Sequence, residues 1–349
     1  MPVFNTARRS ALAVATLISI LGLAGPSAAQ TSEPKLSDVL SAPEYAESVG
    51  RSPWGPEDEL GRLNLMTDSS RAAVLSRIDG GKVYDLAAEY FVGMPGYFPA
   101  GDPRYTFWMT HTPRGTVIDN PTGQNAETNT RVSYTGTAFS MYAHTGTHID
   151  ALNHFGLDGE IYNGFKPEEH LGDRGWKKTG METMPPIVAR GVLIDVAKAK
   201  GVKTLPDGYR IMRADLEDAL KKQGTKLEPG DVVLIRTGQY AEYDDTEAFT
   251  TDFPGLDLDG AKFLTGQGAM VLGSDNLSLE VFPSQTDGNY IPVHTYLLAQ
   301  SGIPIIELLK LDELSENNVH EFAFIAAPLK IRGGDASPFR PVAMPLRPR

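Results

Sequence analysis

The most informative segment of this chain is His144-Thr-Gly-Thr-His-Ile-Asp-Ala-Leu-Asn-His154, which holds three of its seven histidines and an aspartate. Imidazole nitrogens and carboxylate oxygens are ligands suited to Zn²⁺ or Mn²⁺. On a helix, His144 and His148 would share a face, but Asp150 would point elsewhere. On an extended strand all offsets are even, but His144 and His148 would be about 13 Å apart, too far for one ion. The chain must therefore bend between them, and Gly146 allows this at the least steric cost.

This spacing predicts a strand that runs into a tight loop, with metal ligands on both sides of the bend. The alternative is that three histidines fall together by chance at a polar strand end. Other catalytic signatures are absent from the sequence, namely H-E-x-x-H, G-x-S-x-G and the phosphate-binding P-loop. The glycines Gly266 and Gly268 precede a strand rather than follow one, which is the wrong order for a dinucleotide site.

Composition narrows the class of protein. The chain has 349 residues, and its 44 acidic and 32 basic side chains give a formal charge of −12. Nucleic acids and anionic membranes require clustered Lys and Arg, so neither is expected as a partner. Cysteine is absent, which excludes disulfides, thiolate metal sites and thiol nucleophiles.

The N-terminal residues 1–29 are predicted to be a signal peptide. Arg8 and Arg9 form a basic start, an apolar run covers Ala11 to Ala24, and Ser27-Ala-Ala29 supplies small residues for cleavage near Ala29. Gly25-Pro26 ends the run before the roughly 20 apolar residues that a membrane anchor needs. We expect a periplasmic or secreted protein without an anchor, exported by the Sec or the Tat route. The alternative is an amphipathic start that is not cleaved.

The rest of the chain is predicted to be a polar segment, residues 30–50, followed by one α/β domain, residues 51–349. Apolar β-branched runs alternate with helical patterns and predict a mixed fold. The amphipathic segment Arg213–Gln223 predicts a helix with Gly224 as its C-cap. The predicted strands are Val188–Val196, Val232–Arg236, Met270–Gly273, Pro304–Leu309 and His320–Ile331.

The histidines outside the cluster are expected to have other roles. His170, in a charged loop, and His320, at the start of a strand, are expected to be surface or capping residues. His111 follows the aromatic residues of Phe107-Trp-Met-Thr-His111 and is a candidate for lining a substrate pocket.

The histidine segment resembles the signature of the cyclase family of metal-dependent hydrolases, which includes bacterial kynurenine formamidase and isatin hydrolase. Further segments extend the resemblance over most of residues 50–343. They are Trp54–Asn64, Val83–Leu86 through Gly101–Pro103, Pro292–His294 through Gly302–Glu307, and Gly333–Arg340.

This resemblance implies a swivelling β/β/α fold with a mixed sheet and flanking helices, in a homodimer or higher homo-oligomer. It assigns His144, His148 and Asp150 to one divalent ion, Zn or Mn. His294 and Glu307 match the ligands of a second ion that Asp150 can bridge, and the choice between one ion and two stays open.

The resemblance also implies roles toward the substrate. His154 matches the proton-transfer residue, and Phe98 falls where the formamidases place a substrate-contacting tryptophan. The family reaction would be attack of metal-activated water on an amide, cyclic amide, imide or lactone, and the substrate a small cyclic or aromatic molecule. Two other classes stay open: a periplasmic protein that binds a metal or small solute without turnover, and a family member with only a structural role.

Overall fold

The computed structural model describes residues 33–348, apart from residues 42, 44, 46, 47, 285 and 287. The predicted signal peptide and the start of the polar segment 30–50 therefore lie outside the described residues. Among the helices of the described part, none has the length and apolar character needed to cross a membrane.

A mixed sheet of nine strands lies at the centre of the described chain. In chain order the strands are β1 (Tyr84–Asp85), β2 (His148–Asp150), β3 (Ile187–Asp195), β4 (Val232–Arg236), β5 (Val271–Ser274), β6 (Ile305–Glu307), β7 (Glu321–Ala326), β8 (Ala336–Pro338) and β9 (Val342–Pro345). Side by side they follow the order β1-β9-β7-β3-β4-β5-β6-β2-β8. The neighbours β3 to β6 are parallel, and all other neighbouring pairs are antiparallel. The predicted mixed α/β fold is confirmed.

The central strands are apolar on both faces, which is why they appear in the sequence as continuous hydrophobic runs. In β3, Val192 and Ile194 point into one core cluster, whereas Leu193 points into the other. The same alternation in β6 sends Ile305 to the first cluster and Ile306 to the second. Each face of the sheet is thus covered, and a polar side chain on a central strand must find partners within the protein.

Helices cover the sheet and its ends. They are α1 (Leu36–Leu40), α2 (Asp68–Leu75), α3 (Pro113–Asp119), α4 (Ala126–Arg131), α5 (Pro167–His170), α6 (Val196–Ala199), α7 (Arg213–Gln223), α8 (Thr246–Thr250), α9 (Leu258–Gly266), α10 (Pro292–His294, continued by a π-helical turn over Thr295–Gln300) and α11 (Asp312–Glu316). Short 3₁₀ turns occupy Gly61–Leu65, Tyr162–Gly164 and Gln239–Glu242. Helices α7, α9 and α10 with its π-helical turn all contribute to the core cluster that contains Ile305.

The local predictions compare well with these bounds. The helix Arg213–Gln223 is found with the predicted ends, and Gly224 has the left-handed φ of +68° that a C-cap requires. The predicted strand over His320–Ile331 was too long, since the strand is Glu321–Ala326. Its apolar pattern continues beyond Ala326, but the antiparallel partner β3 begins at Ile187, opposite Ala326, so the pairing stops there.

Two further strands form a hairpin that the sequence reasoning did not identify. Thr106–His111 pairs antiparallel with Gly136–Ser140, and α3 and α4 lie in the connection between them. We call residues 106–140 the arm. Large apolar side chains are exposed along it, namely Phe107, Trp108, Met109, Val117, Ile118, Val132, Tyr134 and Phe139. Such an exposed apolar surface is uncommon on a monomeric soluble protein.

Candidate metal centre

Strand pairing brings two parts of the predicted ligand set together. In the register of β2 and β6, His148 lies directly opposite Glu307. Ile149 and Ile306 point into the core on one face of the sheet, so His148, Asp150 and Glu307 share the other face. His148 Nε2 is 3.3 Å from Glu307 Oε2 and 3.4 Å from Asp150 Oδ1.

The loop before β2 contains the predicted bend. Gly146 has a φ of +66°, and a Cβ atom there would lie 2.6 Å from Cζ of Tyr90. The Tyr90 hydroxyl donates a hydrogen bond to the carbonyl of Thr147, which holds the ring against the glycine. The turn places His144 Nδ1 2.8 Å from Asp150 Oδ1. The two histidines therefore meet at Asp150 although an extended chain would separate them.

We predict that Gly146→Ala destabilises the protein by about 3 kcal/mol, because it combines left-handed strain with displacement of the Tyr90 ring. Urea unfolding measures the change. Gly208→Ala is the matched control, since Gly208 has a φ of +65° and nothing within 4 Å of the added Cβ. The control should lose only about 1 kcal/mol, from strain alone. Equal losses in the two variants would contradict the role given to Tyr90.

Helix α10 supplies the next histidine. His294 Nε2 lies 3.0 Å from Glu307 Oε1 and 3.8 Å from Asp150 Oδ2. Its other ring nitrogen, Nδ1, donates to Glu280 Oε1 at 2.6 Å, and the same carboxylate accepts the backbone N–H groups of Val293 and His294. Glu280 thus caps the start of the helix and turns Nε2 of His294 toward Asp150 and Glu307. In the same way, His148 Nδ1 donates to the carbonyl of Gly146 at 2.8 Å, which leaves its Nε2 facing the carboxylates.

We predict that Glu280→Gln weakens metal binding about 10- to 100-fold, the usual effect of removing an outer-shell carboxylate from a ligating histidine. Equilibrium dialysis against zinc measures the affinity. Asp257→Asn is a suitable comparison, because Asp257 is also a buried acid that caps a helix, α9, yet does not contact these histidines. An unchanged zinc affinity in the Glu280 variant would show that helix α10 alone orients His294.

His154 and Asp335 lie at the outer side of the cluster. The rings of His144 and His154 are nearly stacked, with centroids 3.9 Å apart. Asp335 Oδ2 is 3.4 Å from His144 Nε2 and 3.7 Å from His154 Nδ1. The Asp335 side chain is 45% exposed, whereas that of His148 is fully buried. The cluster therefore opens to solvent on the side of Asp335.

The electrostatics of the cluster favour positive charge. Burial acts to lower the pKa of His144 and of His294, but the facing carboxylates raise both pKa values to about 10. Burial acts to raise the pKa of Asp150, but His144 and His154 hold it below its usual range. For His154, burial is the dominant effect and lowers the pKa.

The residues fit a divalent metal. Buried atoms without a hydrogen-bond partner among the described residues include His148 Nε2 and both carboxylate oxygens of Asp150. Four carboxylates contact the histidines, and no lysine or arginine of the described chain forms an ion pair with any of the four: Asp150, Glu280, Glu307 and Asp335. Buried anionic charge without such partners needs a bound cation or protonated histidines. Three donor groups meet the spacing for an ion here. Two are buried, His144 with His148 and Asp150, and Asp150 with His294 and Glu307, and the third, His144 with His154 and Asp335, lies toward the open side.

Comparison with known proteins agrees with this arrangement. Residues 84–281, more than half of the chain, match the family model described as Cyclase. The chain belongs to the Cyclase family. The segment matched to the family model includes His144 to His154 as well as Glu280, whereas His294 and Glu307 lie beyond it.

Relatives and solved structures extend the Cyclase-family match. A kynurenine formamidase of Bacillus cereus is 28% identical over 207 residues, which cover 59% of this chain and 78% of that protein. A crystal structure described as a novel cyclase is 29% identical, with a TM-score of 0.76 over 87% of this chain and all of the other. Isatin hydrolase A of Labrenzia aggregata, at 20% identity and a TM-score of 0.57 over 76% of this chain and 94% of that one, shares the fold. The predicted cyclase-type fold is therefore confirmed.

The two predicted substrate residues have packing partners of their own in this Cyclase-family chain. Phe98 packs under the guanidinium of Arg104, 4.6 Å from its ring centroid, and His111 on the arm packs against Tyr134. Their contact with substrate stays a prediction.

Sequence reasoning missed Glu280 and Asp335. Glu280 is a single acid without a spaced partner, so the sequence carries no signal for it. Asp335 falls in the closing loop Gly333–Arg340, and its main chain reaches the site because its carbonyl accepts from Ala151 N, just after β2.

Proposed function

We propose that this protein is a metal-dependent hydrolase that cleaves the C–N or C–O bond of an amide, cyclic amide, imide or lactone. The observation that carries the proposal is a pair of buried donor groups that share Asp150, in which His148 Nε2 and both Asp150 oxygens lack a hydrogen-bond partner within the described part of the chain. The members of the two groups are His144, His148, Asp150, His294 and Glu307. The opening on the side of Asp335 favours catalysis over storage, since a structural metal site is closed by its ligands.

In this proposal, one set of side chains binds the metal and another transfers the proton. His144, His148 and Asp150 would hold one divalent ion, Zn or Mn, and His294 and Glu307 with Asp150 would hold a second. When bound, such an ion makes water acidic enough to attack a carbonyl at neutral pH and polarises that carbonyl. His154 lies beside His144 at the open side, placed to accept the proton of the attacking water and to deliver it to the leaving nitrogen or oxygen. Phe155 packs edge-on against the His154 ring and also contacts that of His294, which limits access of bulk water from that side.

The relatives suggest a small aromatic or cyclic substrate. By their names, the matched relatives act on a kynurenine formamide, and a protein of the same fold acts on isatin. Both compounds contain a carbonyl group attached to an aromatic ring. We extend this class of substrate to the present chain.

The test uses mature protein that is stripped with a chelator and reloaded with Zn or Mn. The formyl amide of kynurenine, isatin and an aryl lactone are incubated with each form, and products are measured by mass spectrometry. We expect hydrolysis of at least one compound by the reloaded form and none by the stripped form. Tight metal binding with no hydrolysis of any ester, lactone or amide in a wider library would instead favour a binding protein without turnover.

Two further proposals concern the whole protein. We infer a periplasmic or secreted location after cleavage near Ala29, which N-terminal sequencing of the protein from the cell envelope would test. We also infer a homodimer or higher homo-oligomer, supported by the exposed apolar side chains of the arm, because association would remove them from water. Light scattering of the purified protein measures the mass directly, and a monomer at micromolar concentration would contradict it.

A further inference from the structure

The open side of the cluster presents a second pair of metal-binding groups. His154 Nδ1 and Asp335 Oδ2 are 3.7 Å apart, and their side chains are 16% and 45% exposed. The pair lies with His144 within the spacing that suits an ion. Within the described part of the chain, no buried carboxylate forms an ion pair with the His154 ring in the way that Glu280 does with His294.

The distance between these two groups suits zinc. Two ligand atoms at the usual 2.0–2.2 Å from a tetrahedral ion are about 3.4 Å apart. Imidazole and carboxylate together are good ligands for zinc. His144 turns Nδ1 toward Asp150 and its Nε2 lies 3.4 Å from Asp335 Oδ2. With Nδ1 committed to the buried ion, Nε2 carries the ring proton, so His154 and Asp335 supply the protein ligands on the open side, with water completing the coordination. A site with two protein ligands and solvent access must be weaker than the buried one.

We propose that zinc in excess binds between His154 and Asp335 as an additional, inhibitory ion. Once bound, it occupies the ring nitrogen of His154 that faces Asp335 and fixes the ring at the mouth of the site. The binding part of this inference stands on the geometry alone. The inhibitory part rests on the proposed function, in which His154 transfers protons.

Equilibrium dialysis of the mature protein against rising zinc is the direct test. Wild type should take up its tightly bound zinc first. It should then bind one further zinc ion per chain with lower affinity, which we call the weaker equivalent. His154→Gln and Asp335→Asn should each lose the weaker equivalent and keep the tight zinc. His170→Gln is the matched control, because His170 Nε2 and Glu169 Oε2 form a similar pair at 3.6 Å on the surface.

The activity measurement follows on the same samples. The ratio of the rate at excess zinc to that at stoichiometric zinc should fall about a hundredfold in wild type at saturation, the size of a typical acid–base contribution. In Asp335→Asn that ratio should stay near one.

Each outcome separates the two proposals. Tight zinc without a weaker equivalent at millimolar zinc, or a weaker equivalent that persists in both site variants, overturns this inference and leaves the proposed function standing. A weaker equivalent that depends on His154 and Asp335 in a protein with no tight zinc supports this site and contradicts the proposed function. Loss of the weaker equivalent in His170→Gln alone would place the site elsewhere and overturn the inference.

Discussion

His148→Ala will leave the purified protein without tightly bound zinc or manganese. His148 is fully buried, and its Nε2 faces both Asp150 and Glu307, so its loss removes a ligand from the centre of the cluster. We expect affinity to fall by more than about 100-fold, the upper range for loss of an outer-shell partner, which contributes less than a ligand. Elemental analysis after removal of loosely bound metal gives the number of ions per chain.

The control for this prediction is His320→Ala. His320 is half-buried and its Nδ1 is hydrogen-bonded to Gln223, in a part of the protein that supplies none of the proposed ligands. It should retain wild-type metal content. Thermal unfolding of both variants checks that they are folded. Equal and negligible metal in wild type and His148→Ala, even after zinc or manganese is supplied, would mean that the histidines are structural, and the hydrolase proposal would fall.

His154→Ala will keep its metal and lose turnover. The residue lies beside His144 but outside the buried donor groups formed by His148, Asp150, His294 and Glu307. Removing a general acid–base lowers kcat by about 100- to 10,000-fold. Because His154 acts on the proton rather than on substrate binding, KM should change little. Steady-state kinetics with a substrate identified by the panel measures both constants.

Two results would oppose this second prediction. An undiminished kcat in His154→Ala would exclude the residue from proton transfer. Loss of the tight metal in the same variant would make His154 a ligand instead, and the ion would then sit nearer to Asp335 than we propose. His320→Ala again serves as the unaffected comparison.

The sequence by itself determined the local features of this protein. The bend at Gly146 was predictable because two ligands four residues apart on an extended strand are too far from each other to share an ion. Glycine is the residue in that interval that turns the chain at the least steric cost. The helix Arg213–Gln223 and the central strands followed from the periodicity of their apolar residues. Within the candidate site, His144, His148 and Asp150 were identified from spacing alone, because all three lie within seven residues. His294 and Glu307 were matched only through the family resemblance.

Only the tertiary structure decided how distant segments meet at the site. The register of β2 against β6 places Glu307 opposite His148, and the pairing of β2 with β8 brings the loop with Asp335 next to His144. Glu280 reaches His294 because helix α10 begins at its carboxylate. Strand order and register depend on which surfaces pack together over long sequence separations. The local periodicity of apolar residues does not specify which strands become neighbours. The candidate ligands near one bend were therefore predictable from sequence, whereas Glu280 and Asp335, which contact the candidate histidines from distant segments, were not.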